Sequence, residues 1–166
     1  TADTRTGENN DRSVSWQHEI MLQIVSMHVL FVCTGNICRS PTAEGVFRHQ
    51  AAARGLDVTT ASCGTHGYHI GAAPDPRSIH HARLRGYDIS ALHASQLTRQ
   101  HFSKGHLLLA MDRGHLSILN RLAPQGHGAE LRLFLDTATG LKGQDVPDPY
   151  YDGPKAFDHA LDLIER

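Results

Sequence analysis

The chain has 166 residues, 40% of them apolar and 6% aromatic, which is enough to enclose one sizeable core and leaves no obvious material for a second domain. Its 16 lysines and arginines nearly cancel its 17 acidic residues, leaving a formal charge of -1. That balance gives no general reason to bind nucleic acid or an anionic membrane, so any anion binding must be local.

Residues 1–26 are polar at first and weakly apolar around 20–25, without the basic start and long apolar run of a signal peptide. They read as a leader or disordered extension, and the domain is placed at 27–166. From His28 the run His28-Val29-Leu30-Phe31-Val32-Cys33 is continuously apolar and rich in β-formers, as a strand buried on both faces should be. A short loop leads into a helix for which Ser40 supplies a cap and Pro41 a first-turn proline, with Ala43, Val46, Phe47 and Ala51 on one face and Gly55 as the stop. A second strand is expected at 56–61. Asp75-Pro76 opens a helix running to about Arg85 and stopped by Gly86. A third strand follows at 107–111. Asp112 then caps a helix whose Ile118, Leu119 and Leu122 share a face with His115, and Pro124 ends it. A fourth strand is expected at 131–135, and Pro154 begins a last helix with Phe157, Ala160, Leu161 and Ile164 at helical spacing.

Strands alternating with helices predict an α/β fold, a single-domain doubly wound sheet of four parallel strands flanked by helices. In such sheets ligands bind beyond the carboxyl ends of the strands, and Cys33 stands at that end of the first one. Three cysteines, an odd number, do not suit the even framework of a small secreted disulfide protein. A reducing cytoplasm is therefore the expected compartment, with signal-less export left open. The 13 histidines include no His-Glu-x-x-His. The pairs His66/His69 and His80/His81 lack the three or four converging ligands of a metal site, so no metal and no cofactor is expected.

The chemistry concentrates in Cys33-Thr34-Gly35-Asn36-Ile37-Cys38-Arg39-Ser40-Pro41, between a buried strand and a helix start. Unpaired N–H groups and the helix dipole attract anions there. Gly35 and Asn36 tolerate left-handed backbone angles, so the loop, Thr34 through Cys38, can curl its amides inward around a phosphate. The same field would favour a thiolate at Cys33. Arg39 offers a planar fork to two phosphoryl oxygens, and Ser40 can point its hydroxyl at the sulfur.

This stretch resembles the signature Cys-x-Gly-Asn-x-Cys-Arg-Ser-Pro of the bacterial-type low-molecular-weight protein tyrosine phosphatases, matched at every fixed position. The resemblance spans about 28–166 and implies a doubly wound fold with a phosphate-binding loop after the first strand. It also implies a protein-tyrosine-phosphatase activity through a cysteinyl-phosphate on Cys33, with Arg39 binding the phosphate. The family's general acid lies in an Asp-Pro-Tyr motif, which makes Asp148 of Asp148-Pro149-Tyr150-Tyr151 the expected acid and base; read alone, Asp148-Pro149 would be a turn. Asp112 resembles the acidic residue that braces the acid's loop. Tyr68 and Tyr150 fall where the family places the walls of its substrate cleft, with Tyr151 beside them. Ala61-Ser62-Cys63-Gly64-Thr65 and Asp75-Pro76-Arg77 match further landmarks. The implied partners are phosphotyrosine-containing proteins, and a monomer is expected.

Two departures stand out. The family's His-x-Ala-Arg-Gln, whose His bonds the loop Asn, becomes Leu92-His93-Ala94-Ser95-Gln96 here. Either His93 compensates from the next position or Asn36 is held otherwise. The chain also stops at Arg166, where relatives usually continue, so its last helix is expected to be truncated. Ile37 resembles the tyrosine-specific members rather than the phosphoarginine-specific ones, which carry Thr. Cys38 reads equally as a partner trapping oxidised Cys33 in a disulfide and as a small packed side chain, and Cys63 reads as packing. The competing functions are a thiol-dependent arsenate reductase, which would need more cysteines after Cys63, and a non-catalytic phosphate-binding module.

Overall fold

A computed structural model describes residues 27–166; the reading of 1–26 as a leader lies outside the described residues. Four parallel strands form one sheet: β1 (Met27–Cys33), β2 (Val58–Gly64), β3 (His106–Ala110) and β4 (Glu130–Leu133), in the order β2-β1-β3-β4. Four helices connect or flank them: α1 (Arg39–Ala53), α2 (Pro76–Leu84), α3 (Arg113–Leu122) and α4 (Pro154–Ile164). Among the described residues no helix is long and apolar enough to cross a membrane.

The apolar run of β1 places it at the centre, because its side chains have to be covered on both faces. Val29, Phe31 and Cys33 face the layer of α1 and α4, where they pack with Ala43, Val46, Ala160 and Leu161. Leu30 and Val32 face the opposite layer with Leu108, Ala110 and Leu119 of α3. The two-residue period of the strand thus divides one sequence run between two cores. Cys33 is the last residue on the α1 side, so it emerges at the strand's carboxyl end just where the next helix begins.

The first and third strands each begin one residue earlier than expected, at Met27 and His106, and three larger differences have a tertiary reason. The second strand lies at Val58–Gly64 rather than 56–61, since its register with β1 runs from Met27 opposite Val58 to Cys33 opposite Gly64. Leu56 instead gives its N–H to the Ala51 carbonyl and closes the end of α1. The fourth strand is cut short at Leu133, where the chain tightens into a 3-10 turn at Phe134–Thr137 that buries Phe134 and Leu135. Ser40 does not cap α1: the helix starts at Arg39 with Cys38 in the cap position and no side-chain cap bond. The caps read at the other helices stand, with Asp75 accepting from the Arg77 N–H and Asp112 from the His115 N–H.

Helix α1 lies close against the segment after α2. A Cβ built on Gly45 would come within 2.3 Å of Ile89 Cγ2, and Ile89 is fully buried. Gly45→Ala should therefore destabilise the fold by about 1–3 kcal/mol through overpacking, although alanine is the better helix former. Urea unfolding of the two proteins measures this, and the double variant with Ile89→Val should recover part of the loss.

Candidate active site

The loop at 33–39 closes into a cup because both of its flanks are held. Its backbone turns at Asn36, the one non-glycine residue with positive φ (56°) among the described residues. On the β2 side, the Thr65 N–H donates to the Cys33 carbonyl at 2.8 Å and the His66 N–H to the Thr34 carbonyl at 3.0 Å. Gly64 makes that approach possible, since a Cβ there would stand 2.6 Å from the Thr34 carbonyl oxygen. The far side of the cup is tied to α2 by the Asp75 N–H, which donates to the Ile37 carbonyl at 2.7 Å.

A chain of donors converges on the sulfur. The Ser95 N–H donates to Asn36 Oδ1 at 2.9 Å, and Asn36 Nδ2 donates to Ser40 Oγ at 2.8 Å. With that lone pair occupied, the Ser40 hydroxyl hydrogen is free for Cys33 Sγ at 3.0 Å, closer than its alternative at the Cys63 carbonyl, 3.5 Å away. Ser40, mistaken for a helix cap, therefore sits in the first turn with its side chain directed to the thiol. His93 is exposed and is not among the partners of Asn36. The backbone takes its place: bonds from Gly64 N to the Ser95 carbonyl and from Leu97 N to the Gly64 carbonyl hold this segment beside β2, so a main-chain amide reaches Asn36.

Arg39, only 5% exposed, stands at the other side of the cup. Its Nη1 donates to Asp112 Oδ2 at 2.7 Å and to the Val146 carbonyl at 3.2 Å, and its Nη2 donates to Asp148 Oδ2 at 2.9 Å. Asp112 thus meets the segment of Asp148 through Arg39, while its other oxygen caps α3. The turn carrying Asp148 is anchored by the Val146 N–H on the Met111 carbonyl at 2.9 Å. Arg77, not singled out beyond its Asp-Pro-Arg motif, also secures it. Its guanidinium is held by Asp75, donates to the Tyr150 carbonyl at 3.0 Å and lies 5.3 Å from the centre of the Tyr150 ring.

Above the cup lies an open cleft of about 230 Å³ lined by Cys33, Thr34, Gly35, Ile37, Tyr68, His69, Asp148, Tyr150 and Tyr151. Tyr68 is exposed and stacked on His66, while Tyr151 is almost wholly exposed and meets Tyr150 edge to face at 4.9 Å. His69, read from the sequence only within the pair His66/His69, packs so close to Gly35 that a Cβ there would touch its ring at 2.9 Å. The three cysteines are free and buried. Burial pushes the Cys38 thiol up to about 12 and the Cys63 thiol higher still, so both stay protonated at neutral pH.

Fold and cup together bring a cysteine sulfur and a buried guanidinium to one open cleft at the carboxyl end of a parallel α/β sheet. The family model described as low molecular weight phosphotyrosine protein phosphatase matches residues 28–166, and the chain belongs to that family. It is 43% identical over 146 residues to a low molecular weight protein-tyrosine-phosphatase of Streptomyces coelicolor, covering 85% of this chain and 88% of the relative. It is 41% identical over 144 residues to a low molecular weight phosphotyrosine protein phosphatase of Schizosaccharomyces pombe, covering 84% of this chain and 92% of that protein. A crystal structure of protein tyrosine phosphatase from Entamoeba histolytica, with Hepes in its active site, superposes with a TM-score of 0.79 at 34% identity, covering 84% of this chain and 90% of that one.

His115, on the first turn of α3, was read from the sequence only as part of a helix face. It is buried beneath the cup, and desolvation lowers its pKa from an ordinary 6.5 to about 4 against the opposing pull of Asp112. A histidine kept neutral in the fold binds fewer protons than the unfolded chain between those two values. Stability should therefore fall as pH drops from about 6.5 to 4, by an amount on the order of 3 kcal/mol from this group. Carboxylates held below their usual 3.8 by arginine or hydroxyl partners, such as Asp75 and Asp88, lose their contribution only at lower pH. Thermal midpoints across this range should show a shallower slope for His115→Gln than for the wild type.

Proposed function

We propose that the protein hydrolyses phosphotyrosine in protein substrates through a covalent intermediate on Cys33. The observation that carries the reading is the convergence of the Asn36-Ser40 donor chain on Cys33 Sγ opposite an arginine that also holds Asp148. A donor aimed at the sulfur favours its charged form and makes it a better leaving group. An amide-lined cup at the start of a helix favours the phosphoryl oxygens.

In this reading the phosphate enters the cup and takes the fork of Arg39, releasing Asp148. Sulfur attacks phosphorus as the bond to the tyrosine oxygen breaks, and the Asp148 carboxyl gives its proton to that departing oxygen. Water then attacks the cysteinyl phosphate, Asp148 takes a proton from it, and the bond from sulfur to phosphorus breaks to release phosphate and restore Cys33. A phenolate leaves far more readily when protonated, and one carboxyl serves both steps. Asp148 suits the role because it is 46% exposed at the cleft mouth, whereas Asp112 is committed to Arg39 and α3. Tyr68 and Tyr150 supply faces for a substrate ring, and Ile37 at the cleft floor gives it an apolar contact.

Hydrolysis of para-nitrophenyl phosphate by the wild type, with no measurable turnover by Cys33→Ser, is the first expected result. A panel of phosphotyrosine, phosphoserine and phosphoarginine peptides should show preference for phosphotyrosine; preference for another member would overturn the substrate assignment. Asp148→Ala should lower kcat by about 100-fold or more for alkyl-substituted phenols and much less for nitrophenols, which need little protonation. Equal slowing across a series of leaving groups would remove Asp148 from the acid role.

A further inference from the structure

Thr34 is held on its β2 side by a main-chain bond and on its α3 side by a side chain. Thr34, directly after the nucleophile, places Oγ1 2.8 Å from His115 Nε2. The other ring nitrogen, Nδ1, lies 3.1 Å from Asp112 Oδ1, an oblique approach that leaves it without a formed hydrogen bond and in electrostatic contact only. Asp112 is the same carboxylate that receives Arg39 through its second oxygen. The imidazole therefore bridges the first amide-bearing residue of the cup and the anchor of the phosphate-binding guanidinium, and it touches neither the cleft nor the expected reacting atoms.

We infer that His115 is a positioning residue for the phosphate cup, fixing Thr34 on one side and Asp112 on the other through a neutral ring. A carboxylate beside Nδ1 favours the tautomer with the proton on that nitrogen, so Nε2 accepts from the Thr34 hydroxyl. The titratable and charged groups facing the ring are Asp112, Arg39, Asp148 and His66. Loss of water, with the Arg39 guanidinium beside it, opposes a charged imidazole against the pull of the two carboxylates, and Arg39 does not have to share Asp112 with a second cation. The Thr34 peptide is then held from both directions, by His66 N–H on its carbonyl and by His115 on its side chain. Held at its carbonyl and at its side chain, Thr34 limits how far the backbone of Thr34 and Gly35 can turn, which matters because donors that must reorient on binding lose much of their value.

This assignment rests on the phosphatase reading of the cup, and the test keeps the two apart by measuring anion binding rather than turnover. The probe is inorganic phosphate, titrated against the amide resonances of Thr34 and Gly35, with thermal midpoints recorded in parallel. Thr34→Val removes the hydroxyl and His115→Asn removes the reach of Nε2 while keeping a polar group near Asp112. Each should weaken phosphate binding by about 3- to 10-fold, the worth of one neutral hydrogen bond. The double variant should be no weaker than the poorer single one, because both changes delete the same contact. His115→Gln, whose amide reaches the Nε2 position, should bind within about twofold of the wild type. Unchanged phosphate affinity in Thr34→Val, or fully additive losses in the double variant, would overturn the inference, as would a lower midpoint for His115→Asn with affinity intact. Should His115→Asn fail to fold, Thr34→Val and His115→Gln still decide. Failure of the phosphatase reading would show separately, as wild-type turnover that does not depend on Cys33.

Discussion

Arg39 is a charge taken out of water, and the architecture around the site follows from keeping it paired. An unpaired buried guanidinium would cost several kcal/mol, so the fold surrounds it with two carboxylates and a carbonyl. Those partners come from two places: the start of α3 and the segment 146–148 that precedes α4. Arg39 opens α1, and its position is set by β1, so one ion cluster ties the centre of the sheet to two otherwise separate connections.

The second set of constraints is neutral and directional. Ser95, Asn36 and Ser40 hand hydrogens one to the next until the last points to Cys33. Every member of that chain except the Ser95 amide is buried, where a half-satisfied polar group would be expensive, so the chain is complete or it does not persist. The left-handed backbone at Asn36 belongs to the same economy: it turns the side chain inward to link the amide and the hydroxyl. The donor chain ends on the sulfur, and of the two sets only the ion cluster reaches the open cleft, through Asp148.

Much of this was legible in the residues because the loop carries its own geometry. A buried run ending at Cys33, a Gly-Asn pair and an Arg-Ser-Pro start to a helix specify strand, turn and helix with little ambiguity, and the parallel sheet follows from the alternation of elements. What could not be read depended on partners distant in sequence. Ser40 has the residue type both of a cap and of a donor to the thiol, and only the arrival of Asn36 and Cys33 around it decides between the two. The Leu92 departure suggested a neighbouring side chain as substitute, whereas a main-chain amide, which leaves no trace in residue identity, does the work. His115 gave a helical period and nothing more, since its partner Thr34 lies 81 positions earlier. The strand boundaries shifted for the same reason: register with β1 overrides local apolar content.

In the structure the mouth of the cup is spanned by the enzyme's own Asp148 reaching Arg39 at 2.9 Å. A tethered carboxylate is a resident competitor whose local concentration no dilution lowers. Simple monoanions of the cellular milieu offer the guanidinium nothing that this group does not already give. On the reading proposed above, a ligand that takes Arg39 would have to bring more charge and more oxygens than one carboxylate, as a phosphate monoester does. Selection by valence would then come before any selection by shape among the tyrosines that line the cleft.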